Sequence, residues 1–440
     1  MTRYTYPALL VILVGVVLAP LLLHPDHLLY PRDGQATDLT ITHWPAVAYN
    51  VRSLRQEGQV PLWRTTIASG GPWAANPQSW LTYPPAWLFF LLPINLTFNL
   101  LLLGHLVLAA LATYAFGRQA LDLRPPGAAL AGLAFALVPW LSGQLSAGHV
   151  NVVLALAWLP VALLGAHLAT TTGRVAGALL AGVAWAAALL NHFQMAAFTV
   201  LLTLAWALLI ALGRGPATGR KRQFGLLLIA LAVALLLSAA LLVPLAEALP
   251  YLNRTALTME EAGAFSLPWA SLLTTLIPTY GGEPEQVIYL GLPVAILALV
   301  GLVLERDRAS WFLATVAALA TVFALGTHGP LFPLLFRLIP GLGWLRVPPR
   351  AWVLVAFCVA LLAGRGLDAL LQPRLAPVQR RCVTLAGLVA LTVGLTLAAG
   401  LILLLHPVPP AAWSLAALTI LAVAALLLRS RELLQPRYFA

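Results

Sequence analysis

A chain of 440 residues that is 61% hydrophobic and only 9% charged, with a mean hydropathy of +0.91, has too little polar surface to fold in water. The net charge of +11 would suggest nucleic acid in a soluble protein, but here the basic residues follow topology, and nucleic acid is excluded as a partner. The apolar runs are continuous rather than alternating, which excludes a β-barrel and leaves the all-α class, a polytopic integral membrane protein.

In chain order, about twelve runs approach the ~20 residues needed to cross ~30 Å of hydrocarbon as a helix. They are Pro7 to Leu23, Ile94 to Phe116, Gly127 to Leu141, Val152 to Ala169, Val175 to Leu190, Met195 to Leu212, Phe224 to Ala246, Val287 to Leu304, Ser310 to Leu325, Ala351 to Leu362, Val383 to Leu405 and Trp413 to Leu428. The Ala351 run is expected to continue past Gly364. With Arg3 inside, about 17 of the 25 cations fall on one side, among them Arg118, Arg124, Arg174, the Arg220-Lys221-Arg222 run, Arg306, Arg308, Arg365 and Arg380, so both termini are read as cytoplasmic. Nothing after the first run reads as a cleavage site, which makes that run an uncleaved anchor. Cys358 and Cys382 support neither a disulfide framework nor a metal site.

The acids fall the other way, and any chemistry is expected on the extracytoplasmic face. The first loop, 24–84, holds Asp26, Asp33, Asp38 and Glu57 among Trp44, Tyr49, Trp63, Trp73, Trp80 and Tyr83, the composition of a segment lying in the membrane interface. Residues 1–371 form the expected catalytic module with this loop; 372–440 add C-terminal helices and a short cytoplasmic tail. No phosphate-cradling glycine motif and no Asp-x-Asp pair occurs, so nucleotide-driven pumping and nucleotide-sugar chemistry lose support.

Asp38 opens an amphipathic segment running to Gly58, where a carboxylate can take a proton from an acceptor hydroxyl while the departing group stays in lipid. A helix N-cap or a solvated loop acid are the plainer alternatives, and Asp33 is the second candidate. Asn76 and Gln78, in a Gly-, Pro- and aromatic-rich stretch, are sugar hydrogen-bonding candidates. His149 and Asn151, with His192 and Gln194, put polar groups at the outer ends of apolar spans, where they line a cavity or bond between helices. In another outer loop, which also holds Glu285, Glu283 is a substrate-binding candidate. Arg346 and Arg350 oppose the positive-inside trend, and a guanidinium fork suits a lipid phosphate; headgroup anchoring is the alternative. The sequence specifies no cofactor; a divalent cation, Mg or Mn, between first-loop acids and Glu283 or Glu285 stays open without any ligand spacing to support it.

Taken in order from about Asp38 to Leu371, the strings Gly-Gln-Val-Pro-Leu-Trp, Gly-Pro-Trp-Ala-Ala-Asn-Pro-Gln-Ser, Ala-Gly-His-Val-Asn, Asn-His-Phe-Gln, Ile-Pro-Thr-Tyr-Gly-Gly and Ile-Pro-Gly-Leu-Gly-Trp-Leu-Arg-Val-Pro-Pro-Arg resemble the YfhO-like bacterial membrane proteins. That family is grouped with the GT-C glycosyltransferases, which take a sugar from a polyprenyl-phosphate carrier and use an acid in the first outer loop. The resemblance implies that this acid is Asp38 and that His149, His192 and Gln194 occupy the family's polar positions at span ends. His43 stands where the family pattern has Gln, and the chain lacks the long C-terminal extension of many members.

The expected function is therefore an inverting glycosyltransferase of the membrane, with a polyprenyl-phosphate sugar donor, the lipid bilayer and an extracytoplasmic glycan or lipid acceptor as partners. Asp38 is its base, and Arg346 and Arg350 grip the carrier phosphate. The alternative is a non-enzymatic transporter or flippase of a polyprenyl-linked glycan. It requires ionisable residues within spans, where this sequence has few beyond His105, His167 and Glu247.

Overall fold

The computed structural model describes residues 4–28, 36–67, 69–213, 219–252, 257–277, 282–372, 376–404 and 410–430. In chain order its α-helices are α1 (Thr5–Val17), α2 (Ala19–Leu23), α3 (Trp44–Arg52), α4 (Ile94–Ala120), α5 (Pro125–Ala136), α6 (Trp140–Ser146), α7 (Val150–Leu156), α8 (Trp158–Thr172), α9 (Val175–Asn191), α10 (Phe193–Ala211), α11 (Arg220–Ala248), α12 (Met259–Ala262), α13 (Leu292–Leu304), α14 (Arg308–Ala324), α15 (Leu331–Leu338), α16 (Trp352–Leu370), α17 (Pro377–Leu404) and α18 (Pro410–Ser430). A two-residue hairpin, β1 (Trp63–Arg64) with β2 (Gly71–Pro72), pairs Trp63 with Pro72 and Arg64 with Gly71. Among the described residues, 7 helices are long and apolar enough to cross a membrane, and further apolar helices run to 10–17 residues.

Proline and glycine set where the predicted spans break. Pro20 lies in the first turn of α2, so the Pro7 to Leu23 run is two helices rather than one. Pro139 separates α5 from α6. The span expected from Val287 begins later, at Leu292, because Gly291 takes a φ of +87° and Pro293 suits the first helical turn. The Ala351 run does continue past Gly364, to Leu370, with Arg365 buried.

The helices approach closely where side chains are small, the usual packing solution in lipid, where burying one apolar surface against another gains little. A Cβ on Gly165 of α8 would stand 2.5 Å from the Ala181 nitrogen of α9, and one on Gly366 of α16 would stand 1.9 Å from the Leu297 carbonyl of α13. Around these contacts Phe116, Phe135, Trp140, Trp352 and Phe357 fill the core. α17 and α18 pack on each other and on α13. The first loop, the α6–α7 and α9–α10 junctions and the segments before α13 and α16 meet at one end of the bundle, here called the loop face. Arg124, Arg222, Asp307 and Arg365 lie at the other, the basic face.

The first loop is an ordered cap. Leu39 to Glu57 is one helical run, π-turned at both ends and stopped by Gly58 at φ +67°. Buried Asn50 ties it to the rest of the loop: its Nδ2 donates to the Ser79 carbonyl at 2.6 Å and its Oδ1 accepts from Trp73 Nε1 at 2.7 Å. Tyr83 anchors the loop's end in the bundle. Its hydroxyl accepts from Trp158 Nε1 at 2.9 Å and donates to His105 Nε2 at 2.5 Å, while His105 Nδ1 donates to the Leu101 carbonyl at 2.7 Å. Burial pushes the Tyr83 phenol up to about 12, so it stays a neutral donor.

Candidate active site

Five chain segments converge at this cap. The first brings Asp38, whose backbone N–H donates to the Ala147 carbonyl at 3.0 Å. This seat depends on Gly148, at φ +81°, whose missing Cβ would lie 2.3 Å from the Leu39 nitrogen. The Asp38 carboxylate does not cap the helix it precedes. Instead its Oδ2 lies 3.4 Å from His149 Nε2, with the side chain 43% exposed. The His149 hydrogen bond holds the Asp38 carboxyl below its ordinary range against the opposing effect of burial.

The α6–α7 turn supplies Gln144 and His149. Gln144 Nε2 donates to Glu285 Oε2 at 2.9 Å, which fixes the amide so that its Oε1 accepts from His149 Nδ1 at 3.0 Å. Nε2, the ring's other nitrogen, is the one that faces Asp38, so His149 stands between the Asp38 and Glu285 carboxylates and Arg350 closes on Glu285 from the other side.

Glu285 sits in the turn Pro284–Gln286 against α6, where a Cβ on Gly143 would come within 2.2 Å of the Pro284 carbonyl. It is 3% exposed. Its Oε1 accepts from Arg350 Nε at 2.9 Å and Nη2 at 2.5 Å, and Arg350 Nη1 reaches His192 Nε2 at 3.2 Å. Burial, reinforced by Arg350, pushes His192 down to about 3, keeping the ring a neutral acceptor. Arg350 is aimed by Val347, a β-branched residue at φ +61°; its N–H donates to the Ala262 carbonyl at 3.0 Å and its carbonyl accepts from Gln194 Nε2 at 3.3 Å. Such a backbone persists only where its surroundings hold it.

Fully buried His43 stands behind Asp38. Its Nδ1 accepts from Trp80 Nε1 at 3.3 Å, leaving the proton on Nε2, on the side of the Asn151 side chain. Burial pushes His43 down to about 4, opposed by attraction to Asp38.

Of the residues predicted for the site, Asp38 meets His149 and His192 meets Arg350, and Glu285 joins the two pairs. Asn151 lies alongside, with Nδ2 3.4 Å from the Asn191 carbonyl, and Gln194 acts on the backbone behind Arg350. Arg346 and Glu283 are exposed and outside the cluster; the carboxylate within it is Glu285. Asn76 accepts from the Gln78 N–H at 2.8 Å in the hairpin region, so neither residue belongs to the cluster. Asp33 lies outside the described residues. Among the described residues no three His, Cys, Asp or Glu side chains are arranged to hold a metal ion. Gln144 was not singled out from the sequence: a lone glutamine in an apolar turn carries no signal until its partners are known.

The architecture is that of a polytopic helical membrane protein with an ArnT-like fold. Over 98% of its length the chain is similar to the crystal structure of ArnT from Cupriavidus metallidurans bound to undecaprenyl phosphate, at TM-score 0.51 and 15% sequence identity, covering 73% of that chain. At this identity the likeness is one of fold. No curated protein matches the chain. Residues 83–402 match the 6-pyruvoyl-tetrahydropterin synthase related domain, described as a membrane protein, and the chain belongs to that family. His149, His192, Glu285 and Arg350 fall inside the match; Asp38 precedes it.

Proposed function

We propose that this protein is a membrane glycosyltransferase that moves a sugar from a polyprenyl-phosphate-linked donor to an extracytoplasmic glycan or lipid acceptor. The observation that carries the reading is Asp38. It is a half-exposed carboxylate that declines its own helix end, is kept ionised by His149, and sits at the mouth of a buried charge cluster in an ArnT-like fold. In the reaction the acceptor oxygen bonds to the anomeric carbon as the bond from that carbon to the phosphate oxygen breaks. The hydroxyl proton passes to Asp38, and the carrier phosphate leaves with the bonding electrons. One displacement at the anomeric carbon inverts it. A depressed pKa keeps the base ionised at neutral pH, and its weak basicity suffices because the hydroxyl acidifies as its oxygen bonds to carbon.

Arg346 and Arg350 take the phosphate in this reading: Arg346 from the exposed rim, and Arg350 with the N–H groups that Glu285 and His192 leave unused. His149, Asn151 and His192 face the sugar side, with Gln194 holding the backbone that aims Arg350. Because Arg350 already neutralises Glu285, the step is written without Mg or Mn, and turnover is expected to survive chelation. The loop face is extracytoplasmic, and the protein lies in the cytoplasmic membrane with its termini inside. An impermeant thiol reagent should therefore label Ala36→Cys but not Gly219→Cys in intact cells.

The deciding experiment incubates purified protein with radiolabelled polyprenyl-phosphate sugars and a panel of glycolipid and glycan acceptors. Transfer of label in the wild type, lost in Asp38→Asn, supports the reading. No transfer from any lipid-linked sugar, with flipping of the intact donor between leaflets instead, would replace it with a transporter.

A further inference from the structure

The hairpin of the first loop carries a charge that the cluster does not use. Arg64 on β1 is 9% exposed, its guanidinium carbon 4.6 Å from the Trp73 ring centroid and 5.2 Å from that of Tyr49. Its Nε donates to Thr66 Oγ1 at 3.1 Å, and among the described residues no acceptor reaches either Nη. A guanidinium so far removed from water ordinarily meets a carboxylate or several carbonyls, because the charge is costly to bury alone. Among the described residues no acid stands here.

Arg64 instead lines a groove of about 360 Å³ with Ile67, Trp73, Asn76, Leu245 and Leu252, between the hairpin and the loop-face end of α11. The walls are apolar. A second donor stands with the arginine: Asn76 Oδ1 is taken by the Gln78 N–H, which fixes the amide and leaves Nδ2 available. The surfaces on both sides are lipid surfaces. Val60, Leu62, Trp63 and Ile67 of the hairpin are each more than half exposed, and Leu236 and Val243 of α11 are 75% and 56% exposed. An occupant must carry an apolar chain and an anion at the depth of the headgroups.

We propose that this groove seats an anionic phospholipid of the surrounding bilayer, its phosphate on Arg64 and the Asn76 amide and an acyl chain along Leu245 and Leu252. A bilayer lipid is favoured over a sugar-carrying lipid because the groove shares no residue with the Asp38 cluster and opens sideways against α11, away from the acid that a reacting sugar must meet. A bound lipid would staple the hairpin to α11, two elements with few direct ties of their own.

The test is native mass spectrometry of the full chain in detergent, titrated with dioleoyl phosphatidylglycerol and dioleoyl phosphatidylcholine. Retention of phosphatidylglycerol should exceed that of phosphatidylcholine at least tenfold. Arg64→Gln should erase the preference, Arg64→Lys should keep part of it, and Asp38→Asn should leave it unchanged. Leu245→Trp, which fills the groove and spares the arginine, should lower retention of phosphatidylglycerol and guards against misfolding of the Arg64 variants. Equal retention of the two lipids by the wild type, an undiminished preference in Arg64→Gln, or displacement of phosphatidylglycerol by equimolar farnesyl phosphate would overturn the proposal, the last by assigning the groove to an isoprenoid carrier.

Discussion

The two ends of the bundle each carry an arginine paired with a carboxylate, and the pairs are built differently. At the basic face Arg365 grips both oxygens of Asp307, Nη1 on Oδ1 at 2.5 Å and Nη2 on Oδ2 at 2.6 Å, and it also donates to Ser310 Oγ. Asp307 Oδ1 caps α14 besides, accepting the Ser310 N–H at 2.8 Å. Every strong acceptor there is used. At the loop face the Arg350–Glu285 pair is satisfied as well, Oε1 by two Arg350 donors and Oε2 by Gln144; the difference is Asp38, which faces one imidazole with one oxygen while the other meets no donor among the described residues. Satisfied groups lock helices; an unsatisfied carboxylate keeps capacity for something that arrives later.

The sharpest break in this comparison is Asp38→Asn. Loss of a general base is expected to cost about 10²–10⁴-fold in turnover with only a small change in melting temperature, since the half-exposed side chain is tied to the fold through His149 alone. Kinetics beside a thermal melt check it, and a comparable loss in Asp307→Asn would erase the distinction between the faces.

Glu285→Ala comes next, and it should hurt stability as well as activity. Removing the acid strands Arg350 in a nearly buried position, a change of about 3–5 kcal/mol for an uncompensated charge, read as a lowered thermal midpoint in detergent. Glu285→Ala combined with Arg350→Met should recover much of the stability and none of the turnover.

Acid sharpens the contrast in a graded way. Both Asp38 and Asp307 have depressed pKa values, so what each carboxylate contributes is present above its ordinary 3.8 and is lost as pH falls through the folded value, about 2 for Asp307. The wild-type kcat/KM should therefore show no acid limb from Asp38 above pH 3.8. In His149→Ala, which removes the largest cause of the depression, the limb should move upward. The smallest expected effect is that of Tyr83→Phe, about 1–3 kcal/mol for the two buried hydrogen bonds it removes, measured as a modest fall in melting temperature with kcat nearly intact.

Hydropathy made the span positions legible, because lipid imposes a length and a composition on each helix regardless of its neighbours. Helix breaks at Pro20 and Gly291 were less legible, since proline is tolerated within spans and positive φ has no pattern beyond the glycine itself. Asp38, His149 and His192 stood out as polar groups at apolar boundaries. Glu285 was not separable from Glu283: both flank Pro284, and only packing against Gly143 decides which carboxylate turns inward. Arg346 and Arg350 looked alike for the same reason, until the left-handed Val347 turned one of them toward Glu285 and left the other on the rim.

The seat of Asp38 on the Ala147–Gly148 backbone has a consequence in time. The acid leaves the ribosome before the groups it works with: its seat, its imidazole, the buried carboxylate and the arginine follow in the order Gly148, His149, Glu285, Arg350. As the chain is inserted, Asp38 can dock once the α6–α7 turn is placed, whereas Glu285 enters a buried position before the cation that neutralises it has been made. The charge cluster closes only when the start of α16 arrives, so arresting synthesis just before Arg350 should yield a chain with its cap in place and its centre unlocked.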